Sequence, residues 1–245
     1  SDLSKVSPRV ARRPWPTSYI DRLHDRGTVM IGNLVKDLND FDTYRAICIY
    51  RFTGSNANNI ILMGNVKPEN WFDALRIQQP LFNNKAYQAN WGHGKGRGVN
   101  FILNCLSQFC EESYPNINTS NKLGIKEARD IMCAQLQSQD YLAMRFQTTE
   151  IAKDLSEFTS FVDKNSDCPM NIGAVKGLRF IFDEASKENV KELMEDERNP
   201  NYNTQVLEHA LCEYSKYCEF RSGVRNATTK IYKETDVVST TLPLF

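Results

Sequence analysis

Residues 44–52 (YRAICIYRF) constrain the fold most, because this segment is apolar on nearly every side. Such a segment belongs deep in a protein core, where Arg45 and Arg51 both need partners, since an unpaired buried charge is costly. Asp40 or Asp42 is the predicted start of a helix here. A strand remains the alternative, because periodicity alone does not distinguish the two in a short apolar run.

The rest of the chain has helical periodicity. About ten segments follow a helical pattern, and no alternating run is long enough for a sheet. No internal repeat or long linker divides the 245 residues. We therefore predict an all-α fold with a single multi-helix domain over residues 17–220. An extended basic arm (residues 1–16) precedes this domain, and a C-terminal tail (residues 221–245) follows it.

The sequence pattern also predicts where several elements begin and end. Residues 113–123 form a polar connection in this interpretation. The helix that carries Lys176 continues to about Ala185. The last long helix covers residues 204–220 and buries the apolar side chains Leu207 and Leu211.

Composition narrows the possible partners and the compartment. Thirty basic and thirty acidic residues give zero formal net charge, so any nucleic-acid surface must be a local patch. No run of apolar residues is long enough for a membrane span, and the first residues do not resemble a signal peptide. Seven cysteines without a CxxC pair favour free thiols in a reducing compartment, which predicts a cytoplasmic protein. The three histidines lack the spacing of a zinc site.

Residues 141–179 include two acidic and two basic side chains that are candidates for a functional site. An amphipathic helix places Glu150 and Asp154 one turn apart on one face. The turn at residues 168–173 then opens a second helix that carries Lys176 and Arg179, and a helix N-terminus attracts anions. The simpler interpretation is two core helices with solvated charges, and the residue types alone favour it.

A glycine-rich loop at residues 92–98 (GHGKGRG) alternates glycine with His93, Lys95 and Arg97 and leads directly into a helix. Glycine lets a backbone approach phosphate closely, so these three residues are candidates for binding DNA. The spacing is not that of a P-loop. A mobile surface loop remains an equally good interpretation.

The N-terminal arm offers a second candidate DNA contact. Arg12 and Arg13 lie beside Trp15 in a segment whose prolines block a helix. The arm is suited to lie along phosphates. A tail that packs Trp15 against the body is an equally good alternative.

Several motifs occur in an order that resembles one helical family. They are LVKDLNDF after IGN, RAICIYRF, PLFNNKAY, TTEIAKDL, NIGAVKGLRF and EHALCEYSKY, and the resemblance covers roughly residues 15–217. The sequence resembles the α-glutamyl/putrescinyl-thymine pyrophosphorylases, which are similar to the helical domain of 5-hydroxymethyluracil DNA kinases. The most specific pieces are GAVKGLRF and HALCEYSKY.

The resemblance implies a helix-hairpin-helix fold like that of DNA glycosylases and an activity in thymine hypermodification of bacteriophage DNA. In that reaction an amine or amino acid displaces pyrophosphate from pyrophosphorylated 5-hydroxymethyluracil. The implied partners are DNA, the amine or amino acid and a kinase, and a phage protein would work in the host cytoplasm.

The matching positions suggest site residues. They are Asn33, Lys36 and Asp37 on an early helix, Asp154, then Gly173, Gly177 and Arg179 at a helix start, and Glu213, Lys216 and Tyr217 on a late helix. The sequence departs from the family at Leu142, Ala143 and Met144, where the family has hairpin glycines. Bulky residues there weaken backbone contacts to phosphate, which puts DNA binding at this turn in doubt.

The chemistry assigns roles to these residues. Lys36, Lys176 and Arg179 are candidates to stabilise the leaving phosphates, and a divalent metal held by carboxylates is an alternative. Asp154, assisted by Glu150, is the candidate general base or electrostatic stabiliser. The base must leave the duplex to react.

Two assignments remain open. Glu213 and Lys216 lie about one turn apart, and a structural ion pair is the better interpretation of that spacing. In a glycosylase for a modified pyrimidine, Asp154 would instead stabilise charge on the sugar. A non-catalytic DNA-binding or structural protein is the third interpretation.

Overall fold

The computed structural model describes residues 26–83, 88–94, 96–182, 184–195 and 203–222. The extended arm, with Arg12 and Arg13, lies outside the described residues, as do Lys95 and the tail from residue 223 onward. Helices account for most of the described chain, which confirms the all-α prediction. The helix-hairpin-helix form of the fold and the domain boundaries at residues 17 and 220 stay predictions.

The helices follow one another with short connections. They are α1 (Arg26–Val35), α2 (Asp40–Phe52), α3 (Ala57–Gly64), a 3-10 turn (Pro68–Asn70), α4 (Trp71–Ile77), α5 (Arg97–Asn100), a π-helical segment (Phe101–Cys105), α6 (Leu106–Ile117), α7 (Ile125–Ser138), α8 (Arg145–Phe158), α9 (Ile172–Ile181), α10 (Lys187–Met194) and α11 (Thr204–Arg221). Two short strands, β1 (Leu123–Gly124) and β2 (Val162–Asp163), pair in parallel, with Leu123 opposite Val162. None of the described helices is long and apolar enough to cross a membrane.

The described residues group into two compact units. The larger unit contains residues 26–83, 88–94, 96–169 and 203–207, and the smaller one contains residues 170–182, 184–195 and 208–222. In the larger unit, α2 packs against α1, α3, α6 and α8, while α8 packs most extensively against α7. Helix α2 is therefore the centre of that unit.

Helix α2 forms where the sequence allowed either a helix or a strand. The side chain of Asn39 caps the helix by accepting a hydrogen bond of 2.9 Å from the backbone N–H of Asp42. Asp40 and Asp42 in the first turn also complement the positive end of the helix dipole. Nine of its residues are buried, as expected for a segment that is apolar on all sides. The helical prediction is confirmed.

Arg45 has the partners that its position in α2 required. Its guanidinium donates to a carboxylate oxygen of Asp42 (2.7 Å) and to the carbonyl oxygen of Pro68 (2.9 Å). The same group lies 5.1 Å from the ring centre of Trp71, within cation–π range. One end of the guanidinium is thus compensated by charge, a hydrogen bond and an aromatic ring, while its buried Nε has no hydrogen-bond partner in the described part of the chain.

Two predicted boundaries differ from the structure. Helix α6 continues to Ile117, well into the predicted connection, because Ile117 is fully buried and keeps the chain helical past Pro115. Helix α9 ends at Ile181 rather than near Ala185, since Phe182 turns to an extended conformation. None of the seven cysteines, all within the described ranges, forms a disulfide, as the sequence predicts.

In the smaller unit, two glycines of α9 allow close packing against α11. A Cβ added at Gly177 would overlap the backbone carbonyl of Leu211, with the carbonyl carbon at 2.8 Å. A Cβ at Gly173 would lie 2.6 Å from the sulfur of Cys212. The motif GAVKGLRF therefore has a packing explanation, independent of any phosphate chemistry.

We expect the substitution Gly177→Ala to destabilise the protein, because the obstructing atom belongs to backbone that cannot rotate away. Overpacking of this kind typically costs about 1–3 kcal/mol. Urea unfolding measures the change, and Gly64→Ala is the matched control, since its added Cβ would have only ordinary contact with Leu34 at 3.8 Å. Equal stability of the two variants would contradict the packing role.

Candidate nucleic-acid interface

A buried ionic network joins α2 to α8 in the larger unit. Arg51 donates through Nε to Asp154 Oδ2 (2.6 Å) and through Nη2 to Asp154 Oδ1 (3.0 Å), so the pair is bidentate. Its Nη1 lies 3.8 Å from Glu150 Oε2 and donates to Ser55 Oγ at 3.1 Å. Asp154 is completely buried, and Arg51 is nearly so.

Lys153 completes the network. Its ammonium group donates to Glu150 Oε1 at 2.7 Å, and its side chain is only 2% exposed. Two cations and two carboxylates thus share one interior region, with no formal net charge between them. This balance is what makes burial of four ionised groups tolerable.

The electrostatics hold Arg51 in its charged form. Burial by itself would lower the pKa of Arg51, but the negative charge of Asp154, its hydrogen bonds and the charge of Glu150 raise that pKa well above its usual value. Asp154 therefore faces a permanent cation. In this setting the carboxylate orients α8 against α2.

The turn before α8 has the backbone conformation that glycine adopts most readily. Met144 has φ of 45° and Asp140 has φ of 62°, both in the left-handed region. This is the turn where the resembling family has hairpin glycines. Met144 is also buried, so its side chain contributes to the core.

The glycine-rich loop makes its turns at Gly92, Gly94 and Gly96, whose φ angles are 75°, 122° and 80°. Asn90 fixes the first turn by accepting a hydrogen bond from the backbone N–H of Gly92 at 3.0 Å. Gly98 is buried at the start of α5. The loop thus runs directly into the continuous helical segment formed by α5, the π-helical residues and α6.

A pocket of about 330 Å³ lies beside this loop. Its lining combines the end of α2, the segment before the loop, the loop itself and the start of α5. The lining residues are Thr53, Gly54, Phe82, Asn83, Gln88, Ala89, Trp91, Gly94, Gly96, Arg97, Gly98 and Val99. We call this cavity the loop pocket.

Arg97 is the charged residue among the described lining of the loop pocket. Its guanidinium stacks 4.9 Å from the ring centre of Tyr141 and donates to the carbonyl oxygen of Asp140. Its buried Nε has no hydrogen-bond partner within the described part of the chain. Of the predicted DNA contacts, Arg97 lines the pocket, and His93 is exposed in the adjoining loop.

The predicted phosphate-binding residues lie on several elements. In the larger unit, Asn33 is exposed on α1, and Lys36 is exposed just beyond it, 3.9 Å from Asp37. In the smaller unit, Lys176 pairs with Glu219 at 3.0 Å, and Arg179 is exposed on α9. A common site for these residues and Asp154 stays a prediction.

Glu213 and Lys216 form the ion pair that their spacing on α11 predicts, with a distance of 2.5 Å. Among the described residues, no group of three or more histidine, cysteine, aspartate and glutamate side chains is arranged to hold a metal ion. The divalent metal considered from the sequence stays a prediction.

Sequence reasoning did not identify Phe82, Trp91 or Thr53 as site residues. The available signal was the position of Trp91 directly before the glycine-rich loop, since aromatic residues beside basic glycine-rich loops are typical of single-strand binding surfaces. Phe82 and Thr53 carried no comparable signal because they approach the loop only in the folded chain.

We expect Asp154→Asn to destabilise the protein by about 3–5 kcal/mol, because removing one partner leaves a buried cation poorly compensated. The control is Asp130→Asn, which removes a half-exposed carboxylate and should cost less than about 1 kcal/mol. Denaturant unfolding provides both values.

The double variant Arg51→Met/Asp154→Leu tests whether the loss of stability comes from leaving one buried charge without its partner. We expect it to recover much of the stability lost in Asp154→Asn, since two apolar side chains replace the buried pair. Similar small losses for Asp154→Asn and Asp130→Asn would contradict a structural role of the buried pair.

No protein-family model, curated protein or solved structure matches this chain. Function is therefore inferred from the residues and from their geometry.

Proposed function

We propose that this protein binds DNA through the glycine-rich loop and acts in thymine hypermodification. The observation that carries the proposal is the loop at residues 92–98, in which Gly92, Gly94 and Gly96 have positive φ angles beside an aromatic pocket. Such a backbone approaches phosphate closely, and the interleaved His93, Lys95 and Arg97 supply positive or titratable groups. A local patch of this kind suits a chain with zero net charge.

The sequence resemblance supplies the proposed reaction. The bond between the methylene carbon of the modified thymine and a pyrophosphate oxygen breaks, and a carbon–nitrogen bond to an amine or amino acid forms. Pyrophosphate leaves with the electron pair, and the amine loses a proton. Lys36, Lys176 and Arg179 are the proposed cations for the leaving group, because all three are exposed.

The attacking amine needs a proton acceptor in this reaction. Glu150 and Asp154 have the required chemistry, but Asp154 is fully buried and held by Arg51. The described lining of the loop pocket contains no carboxylate. These positions favour Asp154 as a residue that orients α8, and its proposed action on DNA requires a rearrangement of the network.

A second candidate function is therefore a DNA-binding helical protein without catalytic activity. Its specific support is the burial of Asp154, together with a buried Met144 at the turn where the resembling family has glycine. The same burial disfavours a glycosylase, in which Asp154 would have to approach the sugar.

Nucleoside mass spectrometry separates these functions. DNA that contains 5-hydroxymethyluracil is treated with a 5-hydroxymethyluracil DNA kinase, then incubated with the protein and a pool of amino acids and polyamines. We expect a new amine or amino-acid adduct on the base. Free base or an abasic site would instead indicate a glycosylase, and bound but unchanged DNA would indicate the non-catalytic protein.

DNA binding through the glycine-rich loop is tested by removing one positive charge from the loop. We expect Lys95→Gln to weaken binding several-fold and to reduce the slope of log affinity against log salt by about one unit, because one phosphate contact is lost. Lys126→Gln, at an exposed position of α7, is the charge-matched control and should leave both values unchanged. Equal effects of the two substitutions would contradict binding through the loop.

A further inference from the structure

The size and lining of the loop pocket define the kind of ligand that it fits. Its volume of about 330 Å³ is at the lower end of the roughly 300–1,000 Å³ range of small-molecule sites. The lining combines the aromatic rings of Phe82 and Trp91 with the amides of Asn83 and Gln88. A small ligand with a flat ring and a polar edge matches this combination.

Trp91 is a preformed wall of the pocket. Its ring centre lies 5.1 Å from Phe101, 6.2 Å from Phe52 and 6.3 Å from Tyr141. Phe82 adds an edge-to-face contact at 6.1 Å. Four aromatic neighbours hold the indole in place, so little side-chain entropy remains to be lost when a ligand stacks on it.

Gly98 brings the start of α5 against the indole. A Cβ at this position would lie 2.7 Å from both Cδ1 and Nε1 of Trp91. Only a residue without a side chain allows this approach. The glycine-rich loop and the aromatic wall are thus parts of one local structure, with the loop backbone at one side of the pocket and Trp91 at another.

Asn83 and Gln88 are each held by a hydrogen bond to their backbone. The backbone N–H of Asn83 donates to the carbonyl oxygen of Thr53 at 3.0 Å. The side chain of Gln147 on α8 donates to the carbonyl oxygen of Gln88 at 3.2 Å. Amide side chains carry both donors and acceptors, which is what the hydrogen-bonding edge of a nucleobase requires.

Charge adds a preference for an anionic ligand. Arg97 is the charged group of the described lining, and its Nε has no hydrogen-bond partner in the described part of the chain. A nucleotide combines the three features that this pocket matches. Its base can stack on Trp91, the polar edge of the base can hydrogen-bond to the amides, and its phosphate carries the negative charge that the basic loop attracts.

We propose that the loop pocket binds one unstacked nucleobase of a DNA strand, with the ring on Trp91 and the adjoining phosphate on the glycine-rich loop. This inference rests on the proposed DNA binding through that loop and names the site that recognises the base. Stacking on a rigid aromatic side chain tolerates any base, so we expect stacking on Trp91, rather than recognition of a particular base, to supply most of the affinity.

The test measures the affinities of four probes by tryptophan fluorescence and by anisotropy of labelled strands. The probes are single-stranded oligothymidylate, an abasic strand of the same length, thymidine monophosphate and inorganic phosphate. We expect the oligothymidylate to bind on the order of tenfold tighter than the abasic strand, because stacking is absent from the latter.

The substitution Trp91→Ala should remove that difference, so that the two strands bind with equal affinity. Trp91→Phe should restore most of it, and Phe82→Leu provides a smaller change in the same wall. Phe180→Ala, at a half-exposed phenylalanine of α9 outside the pocket lining, is the matched control. Circular dichroism establishes that each variant is folded.

The outcomes separate this inference from the proposed function. Equal affinity for the thymidylate and abasic strands would overturn the base pocket while leaving DNA binding intact. Failure of both strands to bind would overturn both. Monophosphate binding as tight as that of the strand would show that the site takes free nucleotides, which overturns DNA as the source of the base.

Discussion

The bidentate pair between Arg51 and Asp154 is the interaction on which the larger unit depends. Arg51 lies in a segment whose apolar faces bury it, so its charge had to be met inside the protein. Asp154 meets it from α8, 103 residues away in sequence. The pair thereby fixes α2 and α8 relative to each other at one point. The remaining helices of the unit pack around these two.

The same two helices support the loop pocket. Helix α2 carries Arg51, and the chain continues directly into Thr53 and Gly54, which line the pocket. Helix α8 carries Asp154 and, two turns earlier, Gln147, which holds the carbonyl of Gln88. The ionic network therefore joins the two helices that hold parts of the pocket wall in place. Glu150 and Asp154, the candidate catalytic carboxylates of the sequence, are paired in the interior with Lys153 and Arg51.

Much of the fold could be predicted from the sequence. The helices, the burial of residues 44–52 and the need for partners at Arg45 and Arg51 follow from hydrophobic periodicity and from the cost of buried charge. The identity of the partners could not be predicted, because Asp154 is remote in sequence and its spacing also suits an exposed helical face. The packing partner of Gly177 could not be predicted either, since the spacing of Gly173 and Gly177 indicates a helix face suited to close approach but not the helix that packs against it.

The candidate site could be predicted only in part. The alternation of glycine and basic residues marked the loop, whereas the pocket beside it depends on tertiary contacts of Phe82, Trp91 and Thr53. Photochemical crosslinking tests the central claim about this site most directly, using a single-stranded oligonucleotide with one 5-iodouracil and peptide mass spectrometry of the product. We expect the uracil to crosslink to Trp91 or Phe82. Crosslinks confined to the smaller unit, at residues of α9 or α11, would contradict the claim that the loop pocket receives the base.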